Sequence, residues 1–434
     1  MDLWIPDDFL LLQGSEQVCH TNREQVVLGE IHFRLFPNTA GALATISALA
    51  VNGQETGFSY ELENSGLRLD LPAPLQPGEE ALIELDFQIE VPREMGGNFG
   101  LFGYFDDVLT LDGFYPVIPV YDDEGWNVDP LPSNGDATYL DAGFYLVRVT
   151  APESLQLVAS GIEIDRQRQA GSQSRTFAAG PARDFYLAAG ENYALLSERA
   201  GETRVNSYAS PEQIEQAGLA LQVAVDALEI FNESFGPYPY SEFDIVSIPM
   251  QVADGIEYPG LVGLSSRLYD PEAISFDQSS QGRLESAVAH EAAHQWFYNV
   301  VGNDQIDEPW LDEALAQYAT GLYYANLYGQ DAADSYRQAA WDDVWGRAGR
   351  AAIPIGLPST AYAGDEYSPI IYGRGPLFIA ALAEEMGQET FDEFIRDYYQ
   401  SHQWEITTGQ AFKQLAELHC HCDLNDLFRE WVWD

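Results

Sequence analysis

The period of the apolar residues changes once along the 434-residue chain, and that change dictates two kinds of architecture joined end to end. From about Gly29 to Ala209 apolar and polar residues alternate. In Ile31-His32-Phe33-Arg34-Leu35 and again from Ile83 to Val91, every second side chain is apolar, which turns one face of an extended strand to a core and the other to water. Similar runs occur at 144–149 and 185–188, and Pro77-Gly78 and Asn134-Gly135 supply turns. At Ser210 the period becomes helical. Ser210-Pro211-Glu212-Gln213 predicts a capping box with Pro at the first helical position, and the apolar spacing through Phe231 continues it. A strand is predicted at 243–248, followed by a glycine-containing loop to Leu264. Helices then prevail, over about 281–301, 311–328, 331–344, 375–385, 389–400 and 408–431. The reading is an α+β chain, with an N-terminal antiparallel β domain over residues 1–205 and a mainly helical domain over 206–434.

Charge narrows the function. The chain has 69 Asp and Glu against 20 Lys and Arg, a formal net charge of -49, and Lys413 is its one lysine. Such a field repels phosphate backbones and anionic lipid heads, which excludes nucleic acid as a partner. Hydrophobic residues at 46% supply enough apolar surface for folded domains and exclude a disordered chain. No run of about 18 apolar residues occurs, so no membrane segment is predicted. The opening MDLWIPDDFLLLQG lacks the cationic and apolar regions of a leader, so the sequence as it stands reads as soluble and cytoplasmic, or extracellular if an upstream leader has been removed. Cys19, Cys420 and Cys422 form no disulfide framework, and the last two are expected to lie too close in sequence for a relaxed bridge. His419-Cys420-His421-Cys422 reads as a turn between helices, since four consecutive residues cannot close on one tetrahedral ion. Asp106-Asp107 and Asp122-Asp123-Glu124 read as solvated loops, lacking the ordered ligand spacing of a calcium site.

The chemistry concentrates in His290-Glu291-Ala292-Ala293-His294, an H-E-x-x-H inside an apolar helix. Four residues advance a helix by about 400°, so both imidazoles project from one face and can reach one metal ion, with Glu291 placed to bond a metal-held water. With seven His in 434 residues, chance produces this pattern on the order of once in a hundred such chains. A catalytic zinc needs a third protein ligand and an open position. Glu313, 19 residues beyond His294, returns beside the pair if two helices pack antiparallel; on chemistry alone Asp312 and Glu308 compete with it.

The H-E-x-x-H, the 18 residues that follow, and the Glu of Trp310-Leu311-Asp312-Glu313 together resemble the aminopeptidase N family of gluzincin zinc peptidases. Gly255-Ile256-Glu257-Tyr258 is similar to the family's G-x-M-E-N segment, and Phe235-Gly236-Pro237-Tyr238-Pro239 to the phrase before it. Ile371-Tyr372-Gly373-Arg374-Gly375 is similar to its Y-x-K-G segment, with Arg for Lys. The resemblance implies a thermolysin-like helical domain with one zinc ion on His290, His294 and Glu313. Glu291 would act as general base and acid, and Tyr372 would stabilise the tetrahedral intermediate. Glu257 would grip the substrate's free α-amine, with Gly255, Ile256 and Arg374 beside it in substrate binding. The implied activity is removal of N-terminal residues from peptides with free N-termini. A zinc endopeptidase or an epoxide hydrolase on the same site, or a non-catalytic peptide-binding module, stands as the alternative. Tyr258-Pro259 replaces the usual Asn, so the amine anchor is expected to differ in shape. The sequence stops near the end of the family's catalytic domain, so a short form without the C-terminal helical domain, and a more open site, is expected.

Overall fold

The computed structural model describes residues 1–434 except 129, 137, 252, 273, 276 and 277. Its N-terminal part is built on an eight-stranded sheet in the order Ile162–Gln169, Ser172–Ala182, Gly143–Pro152, Asp2–Trp4, Leu11–Thr21, Glu80–Glu90, Leu43–Val51 and Gln54–Glu55. Pairing is antiparallel except where Asp2–Trp4 runs parallel to Gly143–Pro152. The alternation in the sequence sets which face is buried. In Glu80–Glu90 the side chains of Ala81, Ile83, Leu85, Phe87 and Ile89 are buried, and the residues between them reach solvent to varying degrees. They pack with Leu12, Ile31, Phe33 and Leu67, the last three from a three-stranded sheet of Leu28–Arg34, Gly66–Leu75 and Phe58–Glu61. The strand predicted at 185–188 lies instead at Leu187–Gly190. The amides of Phe185 and Tyr186 donate to the Tyr115 and Ser160 hydroxyls, not to a neighbouring strand.

Residue 205 falls within the strand Thr203–Ala209, which pairs antiparallel with Ala194–Ala200 and parallel with Glu242–Ile248. With Leu261–Ser265 and Gly255–Tyr258 these form the five-stranded sheet against which the helices of the second domain pack. We therefore propose the division between domains within 191–193, where the chain passes from one sheet to the other.

The first long helix, α1 (Ile214–Ser234), begins after a 3-10 turn at Pro211–Gln213. The predicted capping box does not form: the Ser210 side chain caps no amide, and its carbonyl accepts from Gln213 N instead. Helix α2 (Ser280–Ala293) is capped by the Ser279 hydroxyl, which accepts from Gly282 N. It ends well short of the predicted 301 because the Asn299 side chain bonds the His294 carbonyl and Tyr298 adopts a positive φ of 99°. Helix α3 (Trp310–Tyr328) matches its predicted span. Further helices at Gly375–Met386 and Gln388–Ser401 lie where expected, whereas the helix predicted at 331–344 is Gln330–Arg337, widening into a π turn at Gln338–Asp342. The segment predicted as one helix over 408–431 is broken after Gly409–Cys420. There His421 turns left-handed (φ 51°), bringing the Cα atoms of Cys420 and Cys422 to 5.1 Å, and the two are joined in a disulfide, contrary to the expectation from their spacing. His419 bonds Asp397 at 2.9 Å, so the His-Cys cluster is a turn between helices. Among the described residues no helix is long and apolar enough to cross a membrane.

The β domain contains one costly group. Glu16 is buried, its Oε1 has no hydrogen-bond partner among the described residues, and burial raises its pKa to about 8. An acid whose folded pKa lies above its unfolded value leaves stability intact below the unfolded value and removes it as pH rises toward the folded one. Stability is therefore expected to fall from near pH 4.5 toward pH 8, and Glu16→Gln to flatten that fall. Thermal melts of both proteins across this range check it; parallel curves would contradict it.

Candidate metal centre and active site

Three elements of the helical domain converge. Helix α2 presents His290, Glu291 and His294, its antiparallel neighbour α3 presents Glu313 in its first turn, and a π turn at Pro369–Arg374 presents Tyr372. The Nε2 atoms of His290 and His294 face each other at 3.1 Å, and Glu313 Oε2 lies 3.2 Å and 3.4 Å from them. His294 Nδ1 lies 3.1 Å from the Phe297 carbonyl, to which it donates, so Nε2 is the ring nitrogen turned toward His290 and Glu313. Such an imidazole nitrogen and a carboxylate oxygen closing on one point is favourable around a cation, and the donor set suits zinc. The side chains therefore fit the metal the motif implies, and ligand atoms of His290, His294 and Glu313 all lie within 4.8 Å of one another.

Asp312 and Glu308, the competing carboxylates, are engaged elsewhere. Asp312 accepts from Asn303 at 3.1 Å, Gln305 at 2.8 Å and the Glu313 amide at 2.9 Å, and Glu308 accepts from the Gly409 amide at 3.0 and 2.9 Å. Glu313 is the carboxylate left facing the imidazoles. Burial acts to raise its pKa, but His290 and His294 outweigh burial and hold it well below the ordinary carboxylate range.

Glu291 is buried, and its Oε2 has no hydrogen-bond partner among the described residues. Burial, and after it the Glu257 carboxylate, push this acid up, with His294 pulling against them. The close neighbour is the strand Gly255–Tyr258: a Cβ on Gly255 would stand 2.3 Å from Glu291 Oε1. Gly255 thus supplies space for Glu291. Glu257, on the same strand, accepts from Gln305 at 3.2 Å and lies 3.9 Å from His294 Nδ1, and Ile256 beside it lines a neighbouring cavity against the β domain. The Tyr372 hydroxyl donates to Glu313 Oε1 at 2.5 Å; burial and then Glu313 keep it well above the ordinary phenol range, so it remains a donor at neutral pH.

Arg374 is not part of this cleft. Its guanidinium bonds the carbonyls of Ile353 and Glu430 and lies over the Trp431 ring, 5.1 Å from its centroid, fastening the C-terminal segment. Four residues without a sequence signal complete the surroundings. Gln305 ties Asp312 to Glu257, and Thr138 of the β domain donates to Gln305 at 2.9 Å. Asp136 comes from the loop before Thr138, and burial, then Glu257, Glu313 and Asp312, push its carboxyl up. Arg183, from the β domain, bonds the carbonyls of Tyr298, Leu140, Val300 and Glu405 and so clamps the loop after His294. A Cβ on Gly302 would stand 2.2 Å from the Arg183 Cζ, so that position has to be glycine for the clamp to close.

Two imidazoles and a carboxylate from adjoining helices, with a second carboxylate and a tyrosine beside them, form a donor set suited to one metal ion. Residues 219–431 match the family model of the peptidase family M1 domain. Over 213 residues, 48% of the chain, it is 29% identical to human endoplasmic reticulum aminopeptidase 1, aligning with 22% of that protein. It is 25% identical over 288 residues to aminopeptidase 2 of Candida albicans, covering 63% of the chain and 30% of that protein. The chain therefore spans less than a third of the length of these curated relatives. Its whole fold is similar to an M1 zinc metallopeptidase from Deinococcus radiodurans, with a TM-score of 0.72, 20% identity, and 99% and 92% of the two chains covered. A structure described as a two-domain M1 zinc metallopeptidase bound to L-arginine superposes with a TM-score of 0.73 at 19% identity, over 100% of this chain and 92% of that one. The arrangement of a β domain followed by a helical domain is thus that of the two-domain form.

Proposed function

We propose that the protein is a zinc-dependent aminopeptidase that removes N-terminal residues from peptides, with one zinc held by His290, His294 and Glu313. The observation that carries the reading is the convergence of those three ligand atoms beside a buried Glu291 whose Oε2 is free of any described protein partner. When bound there, zinc supplies a Lewis acid and lowers the pKa of a coordinated water. Glu291, held against Gly255, takes the water's proton and returns it to the departing amine. The Tyr372 hydroxyl donates to the oxygen on which negative charge develops. Glu257 offers a carboxylate, steadied by Gln305, to the substrate's α-ammonium, a charge-assisted bond that an internal peptide unit cannot make. Names of relatives support the exopeptidase reading: two are aminopeptidases, and a structural neighbour is described bound to a Tyr-Ser-Ala substrate.

The direct test compares an aminoacyl reporter with its N-acetylated counterpart. The free amine is expected to be favoured in kcat/KM by about 10–100-fold, the worth of one hydrogen bond to a charged group, and Glu257→Gln to narrow the gap. Cleavage of the blocked reporter at an undiminished rate would sink the exopeptidase reading.

A further inference from the structure

A cavity shares Glu257 with the surroundings of the imidazole pair. It encloses about 950 Å³ between the β domain and the strand Gly255–Tyr258, with Phe99, Asp112, Asp136, Asp184, Ile256 and Glu257 among the residues that line it. Five of its 23 lining residues are acids, the four just named and Glu63, and none is Lys or Arg. Acidity alone is common in so acidic a chain, but Asp184 differs from a solvated carboxylate. It is 8% exposed, and its Oδ1 has no hydrogen-bond partner among the described residues. The neighbouring cation in sequence, Arg183, is turned the other way, spending its guanidinium on four backbone carbonyls. Asp112, Asp184 and Glu257 line the same cavity and repel one another there. Burial raises Asp112 to about 6 and Asp184 well above the ordinary carboxylate range, and each is pushed further by the carboxylates facing it. A cavity lined by several carboxylates, one of them buried and unpartnered, and by no Lys or Arg is short of positive charge.

We infer that this cavity receives the side chain of the substrate's N-terminal residue and selects a cationic one, with Asp184 and Asp112 facing its charge. The inference rests on the aminopeptidase reading for its placement: an α-amine held at Glu257 leaves the adjoining side chain at the mouth of the cavity, past Ile256. A guanidinium or ammonium there meets the buried Asp184 and the half-buried Asp112, where water screens them less than at the surface. An uncharged side chain of the same length leaves those carboxylates unpaired, and a site built for a charged partner rejects such an analogue strongly.

The test uses the zinc-loaded full chain with arginyl and citrullinyl reporters, which share shape and differ in charge. The arginyl reporter is expected to be favoured in kcat/KM by about tenfold or more. That ratio is expected to fall several-fold in Asp184→Asn and in Asp112→Asn, both near-isosteric. A ratio near one in the wild-type protein, or a ratio unchanged in both variants, would overturn the inference. Should no aminoacyl reporter be turned over, the aminopeptidase reading fails, and the cavity is judged by calorimetry with L-argininamide and L-citrullinamide. Tighter binding of argininamide that Asp184→Asn abolishes supports the cavity's selectivity, and equal binding of the two overturns it.

Discussion

The Glu291→Gln protein is expected to bind zinc as the wild type does and to hydrolyse aminoacyl reporters about 10³-fold more slowly, within the range assigned to a positioned general base. Gln has the shape of Glu, so it fits the space left by Gly255, where the carboxylate lies against the strand. It cannot accept a proton from water at neutral pH. A loss confined to kcat, with KM little changed, is the pattern for a group acting in the transition state and not in substrate binding. Undiminished turnover in a zinc-loaded Glu291→Gln protein would remove Glu291 from the mechanism.

Removing the metal is expected to have the larger effect, abolishing activity and lowering the melting temperature together. A ligand present at about 100–1,000 times its Kd stabilises the folded state by about 3–4 kcal/mol, which for a domain of this size corresponds to roughly 5–15 °C. The structural reason is local. The ligand atoms of His290, His294 and Glu313 come from two packed helices and lie 3.1 to 3.4 Å apart, so a cation held by all three would tie those helices together. Melting curves with and without chelator, followed by re-addition of zinc, check this. An unchanged melting temperature and unchanged turnover after verified metal removal would contradict it.

Much of the fold was legible because burial follows period. The alternation from Ile83 to Val91 predicted which side chains of Glu80–Glu90 enter the core, and the helical period predicted α3 over its full span. Where side chains bond backbone, period misleads. Asn299 ends α2 by taking the His294 carbonyl, and the Tyr115 and Ser160 hydroxyls draw off the amides of Phe185 and Tyr186. Neither event leaves a trace in the spacing of apolar residues. The site divides in the same manner. His290, Glu291 and His294 were legible because one helix holds all three, so local geometry suffices. Choosing Glu313 over Asp312 depended on who else bonds Asp312, and Asn303 and Gln305 answer that only in three dimensions. Arg374, read as a substrate contact from its motif, faces the C-terminal segment because the π turn that directs Tyr372 into the cleft carries Arg374 out of it. The acids around the cavity were hidden in a crowd: 69 carboxylates give no sign of which few line one cavity.

The zinc content of the purified protein and three variants tests the central claim most directly. One zinc per chain is expected in the wild type, retained in Asp312→Asn and lost from His294→Ala and Glu313→Ala, with turnover following the metal. A wild-type protein that takes up no zinc, or a Glu313→Ala protein that keeps both its zinc and its turnover, would contradict the assignment of this site.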